Sequence, residues 1–168
     1  MRVLVSTASK HGSTADIGRA IAETLSGDEI EARIAAPEEV TGLDGYDAVI
    51  LGSAVYAGRW MKTMRELTDR LGDELAARPV WLFSSGPIGD PPMPEEDPVD
   101  VASILEKTNA RDHFLFAGKL DRKTLSFGER AIVGALKAPE GDFRDWDDIR
   151  RRALAIAAEL KTLVQPGT

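Results

Sequence analysis

A run of hydroxyl and small residues near the amino terminus has the chemistry of an anion-binding site. Ser9, Ser13 and Thr14 follow an apolar stretch at 2–7 that is typical of a buried strand. Apolar residues then recur at a four-residue spacing, at Ile17, Ile21 and Leu25. This spacing predicts a helix over Ser13–Leu25, so the hydroxyl groups lie at its amino terminus.

Unpaired backbone N–H groups and the positive end of the helix dipole favour an anion at that place. Gly12 is the only glycine before Gly18, so neither the Gly-x-Gly-x-x-Gly turn nor the Gly-x-x-x-x-Gly-Lys loop of nucleotide-binding proteins is present. We expect a phosphate-bearing ligand. The alternative is a small-residue turn whose hydroxyl groups serve only as helix caps.

Strand-like and helix-like segments alternate along the chain, which predicts a parallel sheet with helices on both faces. The predicted strands cover 2–7, 29–35, 48–53, 79–84 and 113–118. The predicted helices cover Ser13–Leu25, 59–71, 98–108 and a last helix after Asp145, whose inner face carries Trp146, Ile149, Ala153, Ile156, Leu160 and Leu163. Because the carboxyl ends of parallel strands meet at one edge, the loops after strands 1, 3 and 4 should converge there.

Length, charge and cysteine content restrict the class of protein. The 168 residues suit one domain, and the absence of cysteine excludes disulfides, thiolate metal sites and a cysteine nucleophile. The net charge of −7 argues against nucleic-acid binding. With no leader-like or membrane-spanning apolar run, we expect a cytoplasmic protein.

The first loop, Ser9-Lys10-His11-Gly12-Ser13-Thr14, resembles the phosphate loop of the flavodoxin family, which binds the phosphate of FMN. This resemblance implies a flavodoxin-like α/β three-layer sandwich over residues 1–168, with a five-stranded parallel sheet in the order 2-1-3-4-5. It also implies FMN as the cofactor, with no metal and no side-chain catalyst. Lys10 and His11 either offset the phosphate charge or are solvated.

Two further loops resemble the flavin-ring loops of the same family. The resemblance implies ring contacts from Ala54, Val55, Tyr56, Ala57 and Gly58 after strand 3, and from Ser85, Gly86, Pro87, Ile88 and Gly89 after strand 4. Tyr56 is expected either to stack on the isoalloxazine or to pack on the protein. Gly58 matches the glycine at which the family allows a backbone peptide to flip beside the flavin.

Two aromatic residues outside these loops are assigned structural roles. The spacing of Trp60 to Met64 and Leu67 predicts a core position on a helix. His113 has no serine or acidic neighbour that suggests a relay, so it is also predicted to be structural. Flavodoxins usually cover the flavin with a second aromatic residue from the loop after strand 4, where this chain has Gly86, Pro87 and Ile88, so the resemblance implies that one face of the flavin is open to a substrate.

The segment 119–137 carries a net charge of +3, which leaves −10 for the rest of the chain. Ser126 and Glu129 have the spacing of a capping box and predict a short amphipathic helix. Long-chain flavodoxins have an insertion here (119–141 in this chain), and so does the menaquinone-dependent protoporphyrinogen oxidase group, which this chain resembles. The helix either contacts an anionic membrane surface or packs its apolar side on the domain.

Three functions follow from these resemblances. The first is an FMN-dependent oxidoreductase that passes electrons from an organic substrate to a quinone, as the protoporphyrinogen dehydrogenases do. The second is a flavodoxin-type electron carrier whose acidic surface docks to a basic redox partner protein. The third is a domain that has lost its cofactor and serves only in interactions.

The acidic, proline-rich stretch at 90–97 fits either a lid or a surface loop.

Overall fold

A parallel sheet forms the centre of the protein in a computed structural model, which describes residues 1–27, 29–88, 94 and 96–164. The strands in this part of the chain are β1 (Arg2–Ala8), β2 (Glu31–Ala35), β3 (Ala48–Tyr56), β4 (Arg59–Trp60), β5 (Val80–Ser85), β6 (Asp112–Phe116), β7 (Lys119–Leu120) and β8 (Gly141–Asp142). The five parallel strands have the order β2-β1-β3-β5-β6, which confirms the predicted topology.

Helices cover both faces of this sheet. They are α1 (Ser13–Leu25), α2 (Lys62–Arg70), α3 (Gly72–Ala76), α4 (Val101–Thr108), α5 (Phe127–Ala135) and α6 (Trp146–Val164). Successive residues of a strand point to opposite faces, so Val3 and Val5 pack against α1 and α6, whereas Leu4 packs on the side of α2 and α4. The result is the predicted three-layer arrangement.

The predicted inner face of α6 is correct except at its last turn. Asp145 caps the helix by accepting a hydrogen bond from the Asp148 N–H at 3.0 Å. Leu163 was expected to face the core, but it is 46% exposed. A helix of 19 residues spans about 28 Å, whereas the seven residues of β1 span about 23 Å. Helix α6 is therefore longer than β1, and Leu163 lies in its last turn.

The predicted helix at 59–71 begins later than expected because the chain first makes a hairpin. Ala57 (φ 49°) and Gly58 (φ 74°) both adopt the left-handed conformation, as a two-residue hairpin turn requires. Arg59 and Trp60 then pair antiparallel with the end of β3 as strand β4, and α2 starts only at Lys62. Trp60 is buried as predicted, but it is a strand residue.

The β6–α6 connection, residues 117–145, is closed at its base by a small ribbon. Lys119 of β7 pairs with Asp142 of β8, and the Phe143 N–H donates to the Gly118 carbonyl at 3.0 Å. Helix α5 lies between these strands and begins with the predicted capping box. Within the described ranges, every helix is too short or too polar to cross a lipid bilayer.

Candidate functional site

A cavity of about 600 Å³ lies where β1, β3 and β5 end. This edge is the natural ligand site of such a sheet, because the chain winds in opposite directions from β1 and from β3. The predicted residues that line it are Ser9, Lys10, His11, Ser13, Thr14, Ala54, Val55, Tyr56, Ala57, Ser85, Gly86 and Ile88. Gly12, Gly58 and Pro87 do not line it, and Gly89 lies outside the described residues.

The loop between β1 and α1 lies at this cavity and contains hydrogen-bond donors. Gly12 has φ 87°, and its N–H donates to Ser9 Oγ at 3.0 Å, which holds the loop in a tight turn. Helix α1 then begins at Ser13 without a side-chain cap. Ser13 Oγ is buried and has no hydrogen-bond partner in the part of the chain that the structure describes. An unpaired buried hydroxyl beside free helix N–H groups fits an anion.

Lys10 and His11 contact an acidic residue that is not among the predicted site residues. Glu129 of α5 accepts from Lys10 Nζ at 2.8 Å, and its other carboxylate oxygen lies 2.8 Å from His11 Nε2. The hydrogen bond from Lys10, then those from His11 and Ser126, lower the pKa of Glu129 to about 2. Neither residue is simply solvated, which was one of the two expectations.

Helix α5 forms the outer wall of the cavity. Its cavity-lining residues follow the helical spacing i, i+3, i+4 and i+7: Glu129, Ile132, Val133 and Leu136. Ile132 and Leu136 are 62% and 74% exposed. Of the two expectations for this helix, contact with a membrane or packing of its apolar side on the domain, the structure shows its apolar residues turned to the cavity of the domain.

Tyr56 lies at the end of β3, on the same wall as Ala54 and Ala57. Its side chain is partly exposed, and Lys10 Nζ lies 5.9 Å from the centre of its ring. Burial of the hydroxyl, and then the negative charge of Glu129, raise the pKa of Tyr56. Because the ring is partly exposed and lines the cavity, it is available to a planar ligand there.

His113 belongs to a buried network, contrary to the prediction that it lacks a serine or acidic neighbour. Ser84 Oγ lies 2.7 Å from His113 Nε2 and accepts a hydrogen bond from Trp60 Nε1 at 2.7 Å. His113 Nδ1 lies 3.5 Å from a carboxylate oxygen of Asp97. Burial lowers the pKa of His113, and the charges of Asp97 and Asp112 oppose this shift. Ser84, Trp60 and His113 do not line the cavity.

The segment before α4 is attached to the β3–β4 turn. The Val99 N–H donates to the Gly58 carbonyl at 2.8 Å, and the Trp60 N–H donates to the Asp100 carboxylate at 3.2 Å. Residues 89–93 and 95 lie outside the described part of the chain, so the predicted choice between lid and surface loop at 90–97 concerns residues that are only partly described. The attachment at Val99 and Asp100 fixes the turn that carries Tyr56.

The sequence model of the flavodoxin domain matches residues 4–147, which is most of the chain. The chain belongs to the flavodoxin domain family. Among solved structures, a flavodoxin from the domain Archaea is 16% identical, with a TM-score of 0.65 and coverage of 96% of this chain and 99% of that one. Flavodoxin 2 from Bacillus cereus is 20% identical, with a TM-score of 0.63 and coverage of 95% and 99%.

The same fold also occurs within a larger protein. Rubredoxin oxygen:oxidoreductase from the anaerobe Desulfovibrio gigas is 13% identical, with a TM-score of 0.67, and the match covers 98% of this chain but 37% of that one. At these identities the likeness concerns the fold. No curated protein matches the sequence at a significant level.

FMN is the cofactor of a flavodoxin domain, and the residues of this chain fit it. The buried, unpaired Ser13 hydroxyl and the first N–H groups of α1 suit a phosphate. The Ala54–Ala57 and Ser85–Ile88 loops, together with the apolar side of α5, suit a flat ring system. The cavity volume lies within the range of ordinary cofactor sites.

Ser13→Ala should weaken FMN binding roughly tenfold, because the hydroxyl is expected to donate to the charged phosphate. Riboflavin lacks the phosphate, so its affinity should change little. Both affinities can be measured by flavin fluorescence quenching. Ser103→Ala, which removes an exposed hydroxyl of α4, is the matched control. An equal loss for both flavins would show that Ser13 supports the loop and does not contact the phosphate.

Lys10→Met should raise the pKa of Glu129 from about 2 towards its ordinary value of 4.5, because the Lys10 hydrogen bond is the largest cause of the shift. A lowered carboxyl pKa means that the ion pair stabilises the fold fully above pH 4.5 and that this contribution is lost as the pH falls towards 2. Carboxyl-carbon NMR would follow the titration. Lys107→Met, which removes a partner of Asp69, is the control and should leave Glu129 unchanged.

Proposed function

We propose that the protein binds FMN non-covalently and carries electrons between redox partner proteins, as flavodoxins do. The observation that carries this proposal is one cavity that joins the uncapped start of α1, with its unpaired Ser13 hydroxyl, to largely apolar walls. The match to the flavodoxin domain over residues 4–147 supports it. When bound, FMN supplies the electron transfer.

In this proposal the chain binds and orients the cofactor and controls its surroundings. The phosphate is held by the hydroxyl and N–H groups of Ser9–Thr14, among them the hydroxyl of Ser13. Residues 54–57, with Ser85, Gly86 and Ile88, flank the ring, and Tyr56 offers the stacking face. The apolar residues of α5 form one wall beside the ring, and Glu129 places a negative charge at the same site. Burial and nearby charge set the reduction potential of a bound flavin.

The visible absorption spectrum of the purified protein tests this proposal, followed by acid release of the flavin and titration with FMN and riboflavin. We expect tight binding of FMN and much weaker binding of riboflavin, because only FMN reaches the anion site. Absence of binding by both flavins would remove the carrier function. It would leave the remaining expectation, a flavodoxin-fold interaction domain without cofactor.

A second candidate is a quinone-linked oxidoreductase of the protoporphyrinogen dehydrogenase type. The observation that favours it is the apolar surface of Ile132 and Leu136, which faces the cavity and remains widely exposed. A quinone is flat and apolar and suits such a wall. Anaerobic mixing of the reduced protein with menadione tests quinone reduction, and turnover of protoporphyrinogen tests the substrate. Failure with several quinones would leave the carrier function alone.

A peripheral membrane contact through 119–137 belongs to this second candidate, since quinones reside in membranes. The outward-facing Phe127 is 90% exposed and supports the proposal, as does the basic charge of the segment. Flotation with vesicles of neutral lipid and of anionic lipid tests it. Binding only to anionic vesicles is expected, and absence of binding to both would remove the membrane contact.

A further inference from the structure

Glu129 brings a negative charge to the loop that is expected to bind a negative phosphate. Its two carboxylate oxygens lie 2.8 Å from Lys10 Nζ and 2.8 Å from His11 Nε2. Lys10 and His11 are the basic residues of this loop, so one carboxylate engages both. The Glu129 side chain is 20% exposed and lines the cavity.

The same residue attaches α5 to the loop before α1. Ile132, Val133 and Leu136 share its helix face and line the cavity. No residue of α5 is buried in the core, so the helix is held by polar contacts: Glu129 with Lys10 and His11, and Arg130 with the Arg122 carbonyl. Glu129 therefore connects two parts of the cavity, the loop at the start of α1 and the apolar wall of α5.

We propose that Glu129 determines how strongly the site selects phosphorylated over unphosphorylated flavin. By engaging Lys10 and His11, it leaves the phosphate to the hydroxyl and backbone donors of the loop, and it repels the phosphate directly. The inference rests on the proposed function, because it assumes a flavin in the cavity. It goes beyond that function in naming the residue that limits the selectivity.

Glu129→Gln separates the two effects. The amide oxygen can still accept from Lys10 and from the Ser126 N–H, so the wall stays in place while the charge is lost. FMN affinity should rise about tenfold at low ionic strength, and riboflavin affinity should change less than about twofold. The gain in FMN affinity should shrink in 0.5 M salt, because the Debye length is then only about 4 Å.

Glu140→Gln is the matched control, because it removes one negative charge from the same connection. Glu140 accepts from the Arg122 N–H at 3.2 Å and does not line the cavity. Its loss should leave the ratio of FMN to riboflavin affinity unchanged. An equal shift of this ratio in both variants would overturn the proposal, because the effect would then reflect net charge.

Two other outcomes of Glu129→Gln would also overturn it. Equal losses for FMN and riboflavin would show that Glu129 only holds the wall, and unchanged affinities would show that its charge does not reach the phosphate. Titration with inorganic phosphate, followed by amide NMR shifts of Ser13 and Thr14, separates this inference from the proposed function. Tighter phosphate binding by the variant without any flavin binding would contradict the function alone; unchanged phosphate binding would contradict the inference.

Discussion

Gly52→Ala should lower the free energy of unfolding by about 3 kcal/mol, at the upper end of the usual cost of overpacking a core. Gly52 lies in β3 opposite Phe83 of β5, and a Cβ atom at this position would overlap the Phe83 ring. The ring cannot move away easily, because Phe83 is 1% exposed and lies 5.6 Å from the ring of Phe116. Urea unfolding followed by tryptophan fluorescence measures the change.

Gly134→Ala is the control for Gly52→Ala. Apart from its chain neighbours and the backbone of its own helix, no atom of the described residues lies within 4 Å of a Cβ placed on Gly134, which is inside helix α5. Alanine favours a helix, so this variant should be as stable as the original chain or slightly more stable. The double variant Gly52→Ala, Phe83→Leu should recover part of the loss. Equal unfolding midpoints for Gly52→Ala and the original chain would contradict the predicted overlap.

Ser84→Ala should destabilise the fold by about 2–3 kcal/mol, because it leaves two buried polar groups without their partner. Trp60 Nε1 and His113 Nε2 both bond to the Ser84 hydroxyl at 2.7 Å. Trp60 is 1% exposed and the His113 side chain 6%, so water cannot easily replace the hydroxyl. The same urea unfolding experiment measures this variant.

A double-mutant cycle with Trp60→Phe separates the hydrogen bond from other effects of the Ser84 substitution. If the Trp60–Ser84 bond carries much of the loss, the two substitutions together should cost less than the sum of the single ones, with a coupling of about 1 kcal/mol. Strict additivity would show that the hydroxyl of Ser84 does not stabilise Trp60. FMN binding should be unaffected, since Ser84 and Trp60 do not line the cavity.

The sequence predicted those parts of the fold that depend on local periodicity. Ile17, Ile21 and Leu25 repeat along one face of α1, and its predicted bounds agree with the structure. The turn from β1 into α1 was predictable because it is a short stretch between a strand and a helix, whereas its binding of phosphate stays a prediction. These features depend on neighbouring residues only, so a single sequence contains the information.

The hairpin before α2 could not be predicted in this way. Ala57 adopts a left-handed conformation that alanine rarely takes, so the sequence lacks the usual Asn-Gly or Asp-Gly signal of such a turn. Trp60 also has a helical spacing to Met64, which favoured a helix from residue 59. Pairing with Val55 across the turn outweighed that local preference.

Contacts between distant residues were the other omission. Glu129 lies 118 and 119 positions from His11 and Lys10 in the sequence. Its place in a capping box already explained why a glutamate occurs there, so nothing in the sequence pointed to a second contact. The spacing of Glu129, Ile132, Val133 and Leu136 was the available signal for a common face, but the sequence does not say what that face meets. The partners Ser84 and His113 likewise become neighbours only through the register of β5 and β6.

The ribbon of β7 and β8 has a consequence for how this domain can change in evolution. Because Lys119 and Leu120 pair with Asp142 and Gly141, the two ends of the connection stay about 5 Å apart whatever lies between them. The entropy of closing a loop grows slowly, by about 0.6 kcal/mol for each doubling of its length. Insertions and deletions between these strands can therefore alter what covers the cavity while the sheet keeps its stability, so one fold can acquire different ligands and reactions.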